Sequence, residues 1–290
     1  MPELPEVETM RLQLKKYLVG HKILSITVKN RKTFQGDEGK IIGGKVTDVR
    51  RFGKVSVIDL DNNYSILTHV KLTGQYIYRG PNLVNPVKLS NKVTGGVPGP
   101  HTLVIFNLDG GGELYYNDVR RFGWIRIEKT KDVENESFIK KLGPEPHVAK
   151  GFAGQALTLD LFRQMLSKTS RAVKIVLMDQ TKMGGVGNIY TNDALWLSRI
   201  NPKTPAKSLS SESVQKLYDA IFTVLKAGLK YGGASELAFV TPDGTEGKYQ
   251  NHTLVYGHED EPCERCHKSI VQKFFLGGRG TYFCPVCQKL

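Results

Sequence analysis

The apolar positions at the start of the chain recur every three to four residues. Val7, Met10, Leu14 and Leu18 share one face, which predicts a helix over the first twenty residues with that face buried. Pro5 is tolerated in the first turn, where its missing N–H has no partner to lose. Glu6 and Glu8 sit near the positive end of the helix dipole, Lys15 and Lys16 near the negative end, and Gly20 is placed to cap it. Pro2 and Glu3 are thereby expected just outside a helix N-terminus rather than on a loose tail. From about residue 23 to 130 the period shortens to that of strands. Segments 25–28, 55–60, 64–69, 75–78, 102–108, 113–116 and 124–128 are short, rich in β-branched and aromatic residues, and separated by turn residues such as Asp61-Asn62-Asn63 and Gly110-Gly111-Gly112. Many short strands without intervening helices predict an antiparallel sandwich.

Residues 80–100, rich in Gly, Pro and Asn, read as a mobile loop, and 141–146 as an interdomain linker. Beyond 155 the helical period returns at 159–166, 172–178, 189–198 and 214–229, the last capped by Ser210 or Ser211. The expected organisation is an α+β protein: an N-terminal β-sandwich domain at 1–135, a linker at 136–154, a helical domain at 155–250 and a cysteine-bearing segment at 251–290.

Charge changes this picture more than composition does. The 290 residues carry a formal net charge of +13, which favours a polyanionic partner, although a merely basic enzyme fits the charge alone. No apolar run approaches the ~20 residues that span a bilayer, and the N-terminus lacks the basic-then-apolar pattern of a secretory leader. The expectation is a cytoplasmic protein with no membrane partner.

All 4 cysteines lie between positions 263 and 287, as Cys263-Glu264-Arg265-Cys266 and Cys284-Pro285-Val286-Cys287. Two C-x-x-C knuckles at this separation bring four thiolates to one tetrahedral zinc. With all ligands supplied by protein sulfur, no position stays open for catalysis, so one structural Zn2+ is expected. Between the knuckles, Gly277-Gly278-Arg279-Gly280 reads as a tight turn with Arg279 at its tip. A guanidinium there suits phosphate contact, and a solvated arginine on an exposed hairpin fits the fragment equally well.

The N-terminus carries a second possible chemistry. A small residue after Met1 permits removal of the initiator, which turns Pro2 into a free secondary amine. Such an amine titrates near 7.7–8.0, far below a lysine, so a useful fraction is neutral and nucleophilic at physiological pH. Condensed with a sugar anomeric carbon it gives an iminium directly. Glu3 is adjacent and suited to general acid catalysis, and Glu6, one turn on, to support the pair. A helix-start proline with dipole-matching glutamates explains the fragment alone equally well.

The whole set of motifs is more specific than any one. Residues 1–9 (Met-Pro-Glu-Leu-Pro-Glu-Val-Glu-Thr), Arg51-Phe52-Gly53-Lys54, residues 117–123 with Arg120 and Phe122, Gly184-Gly185-Val186-Gly187-Asn188-Ile189-Tyr190, and Cys284-Pro285-Val286-Cys287-Gln288 resemble the bacterial formamidopyrimidine-DNA glycosylases, in order and spacing. The resemblance implies a β-sandwich, a helix–two-turns–helix domain and a zinc finger. It also implies a bifunctional glycosylase and abasic-site lyase. Such an enzyme excises 8-oxoguanine and formamidopyrimidines from double-stranded DNA and cleaves the strand by β,δ-elimination, acting as a monomer.

By that resemblance Pro2 is the nucleophile, Glu3 the proton donor and Lys54 an assisting lysine, with Glu6 in support and Arg279 near the reacting phosphate. His101, Arg120, Asn188 and Arg171 resemble DNA-contacting positions. Phe122 and Leu72 resemble the wedge that fills the space of an extruded base. The sequence departs from the family at Leu72, usually methionine, and at Asp193, where glutamate is frequent. Two alternatives are a pyrimidine-lesion glycosylase of the endonuclease VIII type and a non-catalytic lesion binder. Pro2, Glu3 and Lys54 argue against the binder, which needs none of them.

Overall fold

The first helix, α1 (Leu4–Leu18), begins where its period requires, with Glu3 as N-cap and Val19 as C-cap. Gly20 follows at φ +95°, a left-handed conformation that costs glycine nothing. The computed structural model describes residues 1–81, 83, 88–148 and 153–290. Parts of the expected loop at 80–100 and linker at 136–154 therefore lie outside the described residues.

Among the described residues, α1 is followed before residue 130 by β1 (Ile23–Val28), β2 (Phe34–Gln35), β3 (Val46–Phe52), β4 (Val55–Leu60), β5 (Tyr64–His69), β6 (Gly74–Arg79), β7 (Thr102–Leu108), β8 (Glu113–Asp118) and β9 (Trp124–Lys129). They form a 4-stranded sheet in the order β1-β7-β8-β6 and a 5-stranded sheet in the order β2-β9-β5-β4-β3. Neighbours run antiparallel except β2 and β9, which are parallel. Residues from both sheets and the apolar face of α1 share one core that includes Leu14, Val49, Ile58, Ile66, Val104 and Phe106. Within it the Tyr17 and Tyr78 rings stack at 4.7 Å and 4°, an arrangement that adds about 0.5–1.5 kcal/mol beyond burial.

Among the described residues the remaining α-helices and strands are α2 (Leu159–Ser167), α3 (Val173–Leu177), α4 (Asn188–Leu197), α5 (Ser211–Lys230), β10 (Gln272–Leu276) and β11 (Arg279–Phe283). Ser210 caps α5, its hydroxyl accepting from the Ser213 N–H at 3.2 Å. The fold is α+β. Contacts group residues Met1–Lys140, Gly151–Ala153 and Gly228–Gln250 into one compact unit and Lys141–Lys150, Gly154–Ala227 and Asn251–Leu290 into another. Among the described residues no helix is long and apolar enough to cross a membrane.

Several segments differ from the sequence expectation. Strand β3 has no counterpart among the predicted strands, because Asp48, Arg50 and Arg51 break its apolar alternation. The described part of the loop expected to be mobile is held in place. Ser90 and Lys92 both bond Glu246, at 2.5 and 2.7 Å, and Gln75 donates to the Lys92 carbonyl at 2.9 Å. Residues 143–145, read as linker, are built into the second unit: Gly143 N–H donates to the Gln180 carbonyl at 2.9 Å and Gly184 N–H to the Pro144 carbonyl at 3.0 Å. Residues 228–250, read with the helical domain, group instead with the first unit.

Candidate active site and metal centre

The start of α1 is buried and fully capped. Pro2 is buried, and Glu3 and Glu6 are 3% and 1% exposed. Glu6 completes a capping box with Glu3, accepting the Glu3 N–H at 2.7 Å. Its other oxygen accepts the Ala234 N–H at 2.7 Å, so one carboxylate ties the helix start to the 233–234 turn. Gly233 lies at φ +85°, and a Cβ there would meet Glu6 at 2.8 Å, so the close approach requires glycine. Burial is the main cause lowering the pKa of the terminal amine on Met1. Lys54 lowers it further, and Glu3, Glu6 and Glu236 oppose the shift. The helix start is therefore an electrostatic cluster that contains Lys54.

Lys54 sits in the two-residue turn between β3 and β4 and is 3% exposed. Gly53 takes the first turn position at φ +53°. Nearby, burial pushes the His69 imidazole down to about 3, with Lys71 and Lys54 adding to the effect. His69 is thus neutral at physiological pH, and its Nδ1 accepts the Lys71 N–H at 3.0 Å, which leaves the proton on Nε2.

Two loops of the first unit are joined by a carboxylate that the sequence did not single out. Asp118 is fully buried at the end of β8. It accepts from Thr73 Oγ1 at 2.5 Å, from the Arg120 N–H at 3.2 Å and from the Gly123 N–H at 2.8 Å. The 70–73 loop, which carries half-buried Leu72, is thereby fixed beside the 119–123 loop, which carries Arg120 and Phe122. Phe122 is 62% exposed, and the Arg120 guanidinium lies 4.9 Å from its ring centroid. His101 adjoins the same strand end, its carbonyl accepting the Asp118 N–H at 3.0 Å.

In the second unit the tip of the β10–β11 hairpin is held from three sides. Lys174, with no exposed surface, donates from Nζ to the Gly280 carbonyl at 2.8 Å and to Thr281 Oγ1 at 2.7 Å. Asn188 Nδ2 donates to the same carbonyl at 3.1 Å, and Asn192 Oδ1 accepts the Tyr282 N–H at 3.0 Å. Arg279 follows the Gly277-Gly278 turn as the first residue of β11, with its side chain exposed. Sequence reasoning gave Asn188 and Arg279 but not Lys174. Arg171 is exposed and pairs with Asp179 at 3.1 Å. Asp193 accepts the N–H groups of Val255 and Tyr256 at 3.0 and 3.1 Å, a backbone role open to its short carboxylate.

The four cysteines converge. Their sulfurs all lie within 4.8 Å of one another. Cys263 and Cys287 are 3.9 Å apart at Sγ, and Cys266 and Cys284 are 3.7 Å apart. A tetrahedron with metal–sulfur bonds of ~2.3 Å has an edge of about 3.8 Å, whereas a disulfide needs ~2.0 Å. Burial and the three neighbouring sulfurs push the Cys287 thiol up to about 12. The geometry is that of a structural metal site.

Residues 1–125 match the family described as formamidopyrimidine-DNA glycosylase N-terminal domain, and residues 142–239 match the formamidopyrimidine-DNA glycosylase H2TH domain. A formamidopyrimidine-DNA glycosylase of Streptococcus mutans is 36% identical over 296 residues, with 100% of both chains covered. One from Lactiplantibacillus plantarum is 34% identical over 294 residues, again with 100% of both covered. Among solved structures, a Lactococcus lactis Fpg mutant complexed with Fapy-dG-containing DNA superposes with a TM-score of 0.84 at 33% identity, covering 100% of each chain. The MutM protein of Thermus thermophilus superposes with a TM-score of 0.83 at 32% identity, covering 99% of this chain and 98% of its own. With domain matches in chain order, full-length relatives and the same backbone, the chain belongs to the formamidopyrimidine-DNA glycosylase family.

Proposed function

We propose that the protein is a bifunctional DNA glycosylase and abasic-site lyase that excises oxidised purines, chiefly 8-oxoguanine and formamidopyrimidines, from double-stranded DNA. The observation that carries this reading is the buried, doubly capped helix start at Pro2 and Glu3, with Lys54 in the same electrostatic cluster. Removal of Met1 frees the Pro2 nitrogen as a secondary amine. The amine attacks the anomeric carbon, the glycosidic bond breaks, and the base departs with the amine's proton. Glu3 donates a proton to the ring oxygen as the sugar opens, leaving an iminium on Pro2. Loss of a sugar C2′ proton then expels the 3′ phosphate, loss of the C4′ proton expels the 5′ phosphate, and water hydrolyses the iminium to release the sugar fragment and the Pro2 amine.

Phe122 and Leu72 supply apolar volume for the space of an everted base, with Arg120 facing the orphaned partner. His101, Asn188, Arg171 and Arg279 contact the phosphates, and the net charge of +13 supports a polyanionic partner. The four thiolates fit a structural zinc, which the spacing of the two knuckles favours. When bound it supplies a fold staple for the hairpin that bears Arg279, and no Lewis acid.

A panel of single-lesion duplexes tests the substrate class. Excision of 8-oxoguanine and formamidopyrimidine over oxidised pyrimidines supports the reading. The reverse order points to a pyrimidine-lesion enzyme, an arm worth including because a Lactococcus lactis Fpg has been solved with oxidised-pyrimidine-containing DNA. Binding without excision would show a lesion binder.

A further inference from the structure

Beneath the proposed catalytic groups lies a buried ionic cluster that none of the proposed steps uses. Glu8 of α1, Arg11 of α1 and Arg51 of β3 are 0%, 3% and 2% exposed. Arg11 grips the Glu8 carboxylate through Nε at 3.0 Å and Nη2 at 2.7 Å, and reaches the Val49 carbonyl through Nη1 at 3.1 Å. Arg51 donates from Nε to Glu8 Oε2 at 3.0 Å and from Nη1 to the Gly53 carbonyl at 2.7 Å. Two guanidiniums and one carboxylate are thus removed from water within one core.

Such a cluster is a poor source of stability, since its desolvation cost offsets most of its attraction. Its geometry is specific instead. Arg51 holds the helix with one arm of its fork and, with the other, the carbonyl of the residue before Lys54. Lysine has no planar fork and cannot reproduce both bonds.

We propose that Arg51 is a positioning residue that fixes the Lys54 turn against the N-terminal turns of α1, and so sets Lys54 relative to the Pro2 amine. The inference rests on the proposed role of that amine. Glu8 keeps its bonds to Arg11 when Arg51 is removed, so Arg51→Met leaves no carboxylate unpaired and is expected to fold.

The test is the pH dependence of single-turnover borohydride trapping on abasic-site DNA, using the full chain with Met1 removed. At the terminal amine on Met1, burial lowers the pKa most, Lys54 lowers it further, and Glu3, Glu6 and Glu236 raise it; the Pro2 amine, one residue on, is expected to face the same charged groups. A displaced Lys54 therefore moves the trapping profile to higher pH. Arg51→Met is expected to shift the profile upward and to slow trapping about 10- to 100-fold, the scale of a 1 Å misplacement. Arg51→Lys keeps the charge but not the planar fork and is expected to be slowed and shifted like Arg51→Met. In a Lys54→Met background, Arg51→Met should add nothing further. An unshifted profile, full rescue by lysine, or additive effects of Arg51→Met and Lys54→Met would overturn the inference while leaving the proposed function intact. Absence of trapping by the unaltered protein would overturn the proposed function, and the inference with it.

Discussion

Asp118 offers a direct test of how the two loops bearing Leu72, Arg120 and Phe122 are held. Asp118→Ala removes the acceptor for the Thr73 hydroxyl and for the Arg120 and Gly123 N–H groups. Arg120 N–H keeps a second acceptor, Thr73 Oγ1 at 3.0 Å, so the Gly123 N–H is left unmatched in a buried place and the Thr73 hydroxyl in a half-buried one. At about 1–3 kcal/mol for the buried donor and less for the half-buried one, the loss is roughly 1–4 kcal/mol, within a typical total stability of about 5–15 kcal/mol. The variant is expected to fold, with its urea midpoint lowered at unchanged slope. Asp118→Asn keeps one acceptor oxygen and should recover about half the loss. Because the same bonds fix the 119–123 loop, affinity for a lesion duplex is expected to fall more than affinity for undamaged DNA. Fluorescence anisotropy on paired duplexes reads that ratio. A destabilisation below about 1 kcal/mol, or an unchanged affinity ratio, would refute the anchoring role.

Three further outcomes follow from the proposed site. Cys266→Ser should release zinc, measured by metal analysis, and abolish DNA binding while the N-terminal sandwich stays folded; normal affinity in the metal-free variant would contradict this. Affinity should fall log-linearly with salt at a slope of about −0.9 per neutralised phosphate, and Arg279→Ala should reduce that slope by about one; a salt-independent affinity would exclude phosphate neutralisation. Glu3→Gln should collapse base excision while sparing lesion binding and part of the cleavage at preformed abasic sites, whose sugar is already partly open. Equal loss of excision and abasic cleavage would show that Pro2 and Glu3 act as one unit.

What the sequence revealed depended on how local each feature is. The α1 face and the glycine after its end were legible because a helical period is read over a few residues, whereas the Glu3–Glu6 capping box and the bond from Glu6 to Ala234, 228 residues away, were not singled out. The cysteine knuckles were legible because metal ligands impose a short, characteristic spacing. Strand β3 was not, because its charges are matched from elsewhere: Arg51 by Glu8 and Arg50 by Asp59. Helix α4 was legible at 189–198, but its enclosure was not, since Asn192 and Asp193 are polar residues that the structure buries fully. Asp118 and Lys174 read as ordinary charged residues. Their meaning comes from Thr73, 45 residues away, and from Gly280 and Thr281, 106 and 107 residues away. The resemblance supplied Arg279 and Asn188 as candidates, but only the structure shows what holds them.

The nucleophile is the point on which the chemistry turns. Borohydride reduction of the unaltered protein on abasic-site DNA, followed by proteolysis and mass spectrometry, locates the covalent adduct to a single nitrogen. The expected result is one adduct, on an N-terminal peptide that begins at Pro2. An adduct on Lys54 would contradict the Pro2 mechanism. So would undiminished excision by protein whose N-terminus is shown to retain Met1, since its Pro2 nitrogen is an amide and cannot attack.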